Sequence, residues 1–468
     1  MNGGEPVIIF GASKLGELAY YELRGSLEIT GFCDNDQSKQ GQEFCGLPVI
    51  NPNELTGKKA RVLIASGYAL AIIKQLIAMG VKDFSVFTTA SQGGFSVQDY
   101  DYRCYDSFEQ NTNRISLLVE NNSGSNTLAL YKLMPEYIRE KYDIRFLAKS
   151  DTDRGYYYDL ITSKMVVSTH DMAYDRDQLN IQLWHGCPLK GLSYMSRYQQ
   201  QNAEWNHLNW QSLAVVASYS TFYTTLMNAC YGLDVSKYRI TGMPRNDLLF
   251  GTEGRSRLEE LTGVGLAGKK MIFFVPTFRR SISGECNGEC NNKRLFDVAG
   301  FDNEIFNKFL AENNLALIIK SHPFEESGRS NSALRFQTEN IRIIREEALH
   351  QNNLDFYELL SVADLLITDY SSVYFDYLLL ERPIIFTPVD LEVYRASRGL
   401  LLEPYDDWTP GPKCFSMDSL TREIQKSLAD REYYASERNR LKRIVHYYQD
   451  ADSSMRVWML IDQMMSHC

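Results

Sequence analysis

A chain of 468 residues, 44% hydrophobic and 23% charged, has the composition of a soluble globular protein and the length for two or three domains, each able to bury its own core. Its 49 basic and 59 acidic side chains leave a net charge of −10, which argues against a general nucleic-acid binder whose affinity comes from neutralising phosphates and leaves room only for local basic patches. The sequence holds no apolar run of about 18 residues that could span a membrane and its N-terminus lacks a basic signal-peptide n-region, which together point to the cytoplasm.

In chain order, residues 1–95 alternate strand and helix: "PVIIF", a helix over Leu15 to Leu23, "EITGFC", "RVLIAS", the helix "ALAIIKQLIAMG" and "DFSVF". Strands separated by helices predict a parallel α/β sheet. Residues 96–113 are polar and aromatic without a period and read as a linker. A second α/β run, 114–235, holds "ISLLVE", "LALYKLMPEYIREKY", "IRFLA", "MVVST", "IQLW" and "LAVVAS". A third, 236–445, holds "YRIT", "KKMIFFV", "LALIIK", "IRII", "LLITD" and "PIIF". Residues 446–468 read as a helix that packs back on an earlier domain. Nine dispersed cysteines, an odd number, fit a reduced compartment. Cys286 and Cys290 are close in sequence but have no second Cys or His pair to complete a metal site.

Four segments repeat one pattern, in which a buried strand ends and polar or basic residues follow at once. They are "IQLWHGCPLK" with His185 and Lys190, "FFVPTFRR" with Thr277, Arg279 and Arg280, "LIIKSHPFE" with Lys320 and His322, and "LLITDYSSVYFDYLLL" with Asp369, Ser371 and Ser372. In open α/β sheets, ligands sit outside the carboxyl ends of the strands. Serines 371 and 372 fall where the N-cap of the next helix belongs, and a helix N-terminus suits a diphosphate. Arg279, Lys320 and His322 on neighbouring strand ends would add donors to the same place. An imidazole with an ordinary pKa of about 6.5 can take a proton from an attacking hydroxyl at neutral pH. The Asp-x-Asp pairs 34/36, 151/153 and 175/177 are scattered and do not follow the strand-end pattern, so a metal-independent phosphate site is expected.

Taken together, "WHGCPLK", "TGMPRND", "VPTFRR", "KSHP", "ADLLITDYSSVYFDYLLLERPIIF" and "DLEVYRASRG" resemble the CDP-glycerol glycerophosphotransferase family, the teichoic acid primases and polymerases, over roughly residues 115 to 465. The resemblance implies a GT-B-like pair of Rossmann domains, which with residues 1–95 read separately as a small Rossmann-like domain gives the expected α/β architecture. It implies transfer of glycerol phosphate or a related polyol phosphate from a CDP-activated donor to a hydroxyl on a lipid-linked or polymeric acceptor, without a cofactor. By motif, His185 would be the general base and His322 would contact the donor diphosphate. Ser371 and Ser372 would cradle the phosphates, Arg279 and Lys320 would add charge, Thr277 and Asp369 would line the donor side, and Arg245 and Asp247 of "MPRND" would be either substrate-binding residues or parts of the turn. The chain departs from the family in having Cys187 where threonine is usual. Its acceptor-side stretch, "GLSYMSRYQQQNAEWNHLNWQS", is aromatic and polar, which suits core packing or a peripheral seat on the inner face of the cell membrane.

The first 95 residues lie outside that match. "FGASKLGELAYYEL" and "ITGFCDNDQSKQGQEFCGLPVI" resemble the small Rossmann-like domain that precedes acyltransferase repeats in some sugar-modifying enzymes. Gly11 and Gly16 would allow a tight turn beside a phosphate, with Asp34 at ribose distance; the pattern G-A-S-x-x-G departs from G-x-G-x-x-G. A nucleotide site and a docking role are both open for this domain. For the whole chain the competing readings are a GT-B glycosyltransferase using a nucleotide sugar, a non-catalytic nucleotide-binding module, and, on the glycine pattern alone, a nicotinamide-dependent dehydrogenase.

Overall fold

The computed structural model describes residues 5–89, 94–148, 153, 155–170, 175–196, 202–263, 265–277, 295–320 and 336–467. Three separate sheets carry the strands. The first comprises β1 (Val7–Phe10), β2 (Ile29–Cys33), β3 (Glu43–Phe44), β4 (Leu47–Ile50), β5 (Arg61–Ile64), β6 (Asp83–Thr89) and β7 (Phe95–Asp101), in the order β3-β4-β2-β1-β5-β6-β7. Its central pairs are parallel, as the strand and helix alternation requires. Apolar clusters cover both faces, one around Ile8, Ile64 and Ile73, the other around Ile9, Phe32 and Leu63.

β7 corrects the reading of 96–113 as a linker. It pairs antiparallel with β6 from Asp83↔Asp101 to Thr89↔Phe95 and closes one edge of the sheet. An edge strand half open to solvent carries too little hydrophobic alternation to show in a sequence.

The second sheet is parallel throughout: β8 (Asn111–Val119), β9 (Asp143–Ala148), β10 (Ser163–Ser168), β11 (Leu179–Gln182), β12 (Val215–Ser218) and β13 (Tyr238–Ile240), in the order β13-β12-β11-β10-β8-β9. The third holds β14 (Lys270–Val275), β15 (Leu315–Lys320), β16 (Ile341–Ile344), β17 (Leu365–Thr368) and β18 (Ile384–Phe386), in the order β16-β15-β14-β17-β18, also parallel. The segment "YRIT", read as opening the third run, instead forms β13 and pairs Tyr238 with Val216 of the second sheet. A short parallel strand looks the same in sequence whichever sheet it joins.

Helices connecting the strands start and stop on local signals. Ser220 takes the Tyr223 amide to open Thr221–Tyr231, and Gly232, at φ 66°, closes it. The last helix, Ser453–Ser466, returns to the second domain, where Trp458 Nε1 donates to the Leu130 carbonyl (2.9 Å) and Lys141 pairs with Asp462 (2.7 Å). One hydrophobic cluster runs without a break from Ile115, Leu183 and Met243 to Met271, Tyr357 and Phe375, so the second and third sheets share a packed joint.

Candidate active site

The carboxyl ends of β11 and β13 in the second sheet meet the carboxyl end of β17 in the third. After β11 the chain turns sharply, with Trp184 at φ 56° and Gly186 at φ 141°. Between them His185 is exposed while both neighbours are buried. A Cβ on Gly186 would sit 3.0 Å from Ser372 Oγ and 3.0 Å from Arg245 Nη2, so the turn lies against the β17 loop with no room for a side chain.

His185 is walled on several sides. Its ring lies nearly parallel to that of His170 (centroids 4.9 Å apart, 13° between planes) and packs on Trp184 (4.2 Å). It hydrogen-bonds the Thr169 backbone. With the Thr169 carbonyl holding one ring N–H, the second nitrogen is left as the proton acceptor. Surrounding protein mass, then the charges of His170, Arg245 and Lys190, hold the imidazole well below its usual range, which keeps it neutral at physiological pH.

Ser371 and Ser372 are half-buried at the start of the helix Val373–Tyr377. Ser372 occupies the N-cap position without making a side-chain cap bond, so its hydroxyl is not spent on the helix as a cap would be. Asp369 accepts the amides of Thr277 (2.7 Å) and Tyr370 (2.6 Å) and so ties the β14 loop to the β17 loop. Thr277 Oγ1 is buried without a hydrogen-bond partner among the described residues. Lys320, buried at the end of β15, pairs with Glu346 (3.7 Å). The Glu346 carboxylate in turn takes the Asn122 amide and the Ser123 hydroxyl from the loop after β8.

Of the two roles left open for "MPRND", the hydrogen bonds of Arg245 and Asp247 are structural. Arg245 donates to the carbonyls of Gly124 and His185 (2.9 Å each) and to Asp376 (2.5 Å), while its guanidinium lies over the Tyr357 ring (4.7 Å). It is a buried strut between the two domains that touches the His185 turn from behind. Asp247 accepts the amides of Ser453 (3.0 Å) and Ser454 (2.6 Å) and caps the last helix. Both side chains bond protein partners because the short helix Pro244–Asp247 is buried along its whole length, although Arg245 Nε finds no hydrogen-bond partner among the described residues. His322, Arg279 and Arg280, with Cys286 and Cys290, lie outside the described residues.

In the first domain, Gly11 (φ 125°) and Gly16 allow strand and helix to close on each other: a Cβ at Gly11 would lie 2.5 Å from the Ala65 carbonyl oxygen, and one at Gly16 1.9 Å from that of Gly11. Asp34 takes the Ala12 amide (2.9 Å), the Asp36 amide (2.9 Å) and Lys39 (3.2 Å). The glycine turn and Asp34 are therefore adjacent, and the carboxylate is already engaged by the chain. Among the described residues no group of three or more His, Cys, Asp or Glu side chains could hold a metal ion.

Several residues of this constellation carried sequence signals that the strand-end pattern did not use. Asp376 is a carboxylate inside the apolar helix "SSVYFDYLLL", which needs a buried partner. Glu346 lies just past the end of β16, as Lys320 closes the neighbouring β15. Asp355 accepts the amides of Gly124 (3.2 Å), Ser125 (2.8 Å) and Tyr357 (2.9 Å), bracing the same joint.

Residues 104–463 match the family described as CDP-Glycerol:Poly(glycerophosphate) glycerophosphotransferase, and residues 4–87 match the C2185-like N-terminal domain. The chain belongs to the glycerophosphotransferase family. It is 26% identical over 355 residues to the teichoic acid ribitol-phosphate polymerase TarL of Staphylococcus aureus, covering 72% of this chain and 59% of TarL. It is 23% identical over 380 residues to the teichoic acid glycerol-phosphate primase of Bacillus subtilis, covering 78% of this chain and 90% of the primase. The chain thus spans about three fifths of the length of TarL. The wall teichoic acid polymerase TagF superposes with a TM-score of 0.64 at 19% identity, covering 86% of this chain and 98% of that structure. The glycerophosphotransferase region accordingly has the GT-B-like pair of Rossmann domains. Among the described residues no helix is long and apolar enough to cross a membrane.

Proposed function

We propose that this member of the glycerophosphotransferase family transfers glycerol phosphate or ribitol phosphate from a CDP-activated donor to a hydroxyl of a lipid-linked or growing polymer acceptor in teichoic acid or capsular polymer synthesis. The observation that carries the reading is His185, an imidazole bonded to the Thr169 backbone and exposed at a turn whose next residue lies against Ser372 of the opposing domain. Family membership and the names of the relatives supply the donor class.

In this reaction the acceptor oxygen attacks the phosphorus that bears the polyol. The bond from that phosphorus to the bridging oxygen of the diphosphate breaks, CMP leaves with the electron pair, and His185 takes the acceptor's proton. Positioning and charge stabilisation carry most of the rate in phosphoryl transfer, and a placed base contributes about 100- to 10,000-fold. Ser371 and Ser372 hold the diphosphate from the β17 loop, with Thr277 and Lys320 at the neighbouring strand ends and His322 and Arg279 as further donor-side groups.

Exposed Tyr194, Met195, Trp205 and Leu208 lie on the acceptor domain, whose helix Ala203–Gln211 packs Trp210 against Trp184, the neighbour of His185. This surface supports a peripheral seat on the cytoplasmic face of a membrane that carries the acceptor; binding to vesicles of anionic lipid tests it, and no co-sedimentation would remove it. The first domain supports a docking role, since Tyr68 accepts a hydrogen bond from Trp205 (2.8 Å) and Lys74 pairs with Asp175 (2.7 Å).

Incubating the purified protein with CDP-glycerol and CDP-ribitol, a polyol-phosphate acceptor, and with or without chelator, should release CMP. His185→Ala should lower that release by about 100-fold or more. No CMP from any donor would overturn the reading, release of a nucleoside diphosphate from a nucleotide sugar would replace it with glycosyl transfer, and loss of activity on chelation would exclude the metal-free mechanism.

A further inference from the structure

Gln182 is a polar side chain at the end of a strand otherwise fit for a dry core. It is fully buried in the middle of the second sheet, paired in register with Ser168 on one side and Val216 on the other. A buried amide is costly unless its groups are used, and both ends of this one are. Its Oε1 accepts the Trp184 amide at 2.7 Å and its Nε2 donates to the His170 carbonyl at 3.2 Å. Trp184 is the residue held at φ 56°, a conformation that a bulky side chain adopts only where its surroundings impose it. His170 supplies the ring stacked on His185, and its neighbour Thr169 supplies the backbone bond to that ring. One glutamine therefore joins the turn that carries His185 to the loop that orients it.

We propose that Gln182 is a positioning residue that fixes the orientation of the His185 imidazole by clipping the strained Trp184 turn to the Thr169–His170 loop. This rests on the reading of His185 as the acceptor-side base. It predicts a loss in the chemical step and not in donor binding, because the Trp184 amide and the His170 carbonyl that Gln182 bonds both belong to the segments that carry and flank His185. Misplacing a reacting group by about 1 Å costs on the order of 100-fold in rate.

The test compares wild type, Gln182→Leu and Gln182→Glu in two measurements on the full chain. The first is steady-state CMP release. Gln182→Leu should lower kcat by about 100-fold with the donor KM changed by less than about threefold, and Gln182→Glu, which keeps the acceptor for the Trp184 amide but as a carboxylate has no donor for the His170 carbonyl, should recover only part of kcat. The added carboxylate favours the charged imidazole, so the acid limb of the Gln182→Glu profile should move to higher pH. The second measurement is nitrogen NMR of the seven histidines, with His185 assigned by its loss in His185→Ala. One ring tautomer should dominate in wild type and be lost in Gln182→Leu.

A Gln182→Leu enzyme with kcat within about threefold of wild type, or one whose His185 tautomer is unchanged, would overturn the proposal. So would a Gln182→Glu variant as impaired as Gln182→Leu with no displaced acid limb, since that is the signature of general misfolding. If wild type releases no CMP, the functional reading fails, and the tautomer measurement still decides the clip.

Discussion

Arg245 and Asp376 form an ion pair of 2.5 Å across the joint between the second and third sheets, with side chains 4% and 0% exposed. Neither partner can regain water if the other is removed. Tyr357 adds a hydroxyl bond to the same carboxylate oxygen at 2.6 Å, and Arg245 extends to the Gly124 and His185 carbonyls. Deleting one member of a buried pair typically costs about 3–5 kcal/mol. Asp376→Asn should therefore lower stability to denaturant by that order, and Arg245→Lys should do nearly as badly, because a lysine cannot reach both carbonyls and the carboxylate in one plane. Denaturant melts with CMP release measured well below the midpoint check this. A stable Asp376→Asn protein would mean that the joint does not depend on the pair.

Gly186 is the narrowest contact between the His185 turn and the donor side. At φ 141° an L side chain is strained, and its Cβ would press on Ser372 Oγ and Arg245 Nη2 at 3.0 Å each. Gly186→Ala should cost about 1–3 kcal/mol of local strain, relieved by moving the turn away from Ser372. The expected result is a kcat for CMP release at least about tenfold lower, equivalent to about 1.4 kcal/mol in the barrier, with the protein still folded by circular dichroism. Wild-type kinetics in Gly186→Ala would sink the view that the turn must lie against Ser372.

The strands that carry His185, Lys320 and Asp369 were legible because each is a buried apolar run ended by polar residues, and parallel sheets display such ends in one place. What each polar residue binds was not legible. Arg245 and Asp247 share a motif with turn residues, and only the fold reveals that one spans the domain joint while the other caps a helix more than two hundred positions downstream. Asp376, Asp355 and Glu346 were missed for the same reason, since their partners Arg245, Gly124 and Asn122 come from another domain. β7 escaped notice because an edge strand shows its polar face to solvent. Long-range pairing, not local pattern, decided every one of these cases.

Asp247 should matter for stability and little for substrate. It accepts two amides at the first turn of Ser453–Ser466, where a carboxylate also faces the positive end of the helix. Asp247→Ala should cost about 1–2 kcal/mol and leave the donor KM unchanged when measured well below the midpoint of unfolding. Thermal melts paired with donor titration of CMP release make the check. A raised KM with an unaltered melt would return Asp247 to the substrate-binding role that its motif suggests.

Asp355 makes the pH dependence of the joint measurable. Burial pushes its carboxyl up to about 7, against the opposing effect of the Tyr357 and Ser125 amides, with Glu358 adding to the rise and Arg245 lowering it. In the unfolded chain the same group titrates near about 3.9. Between these values the folded protein keeps a proton that the unfolded chain has lost, so this residue's stabilising contribution is complete below about pH 4, declines as pH rises to about 7, and is flat above. The span corresponds to about 4 kcal/mol at most. Asp355→Asn removes the titration, so the difference in unfolding free energy, wild type minus variant, should shrink steadily from about pH 4 to about pH 7. Denaturant unfolding of both proteins across that range supplies the curve. A constant difference would show that Asp355 is ionised throughout, held as a carboxylate by the Gly124, Ser125 and Tyr357 amides.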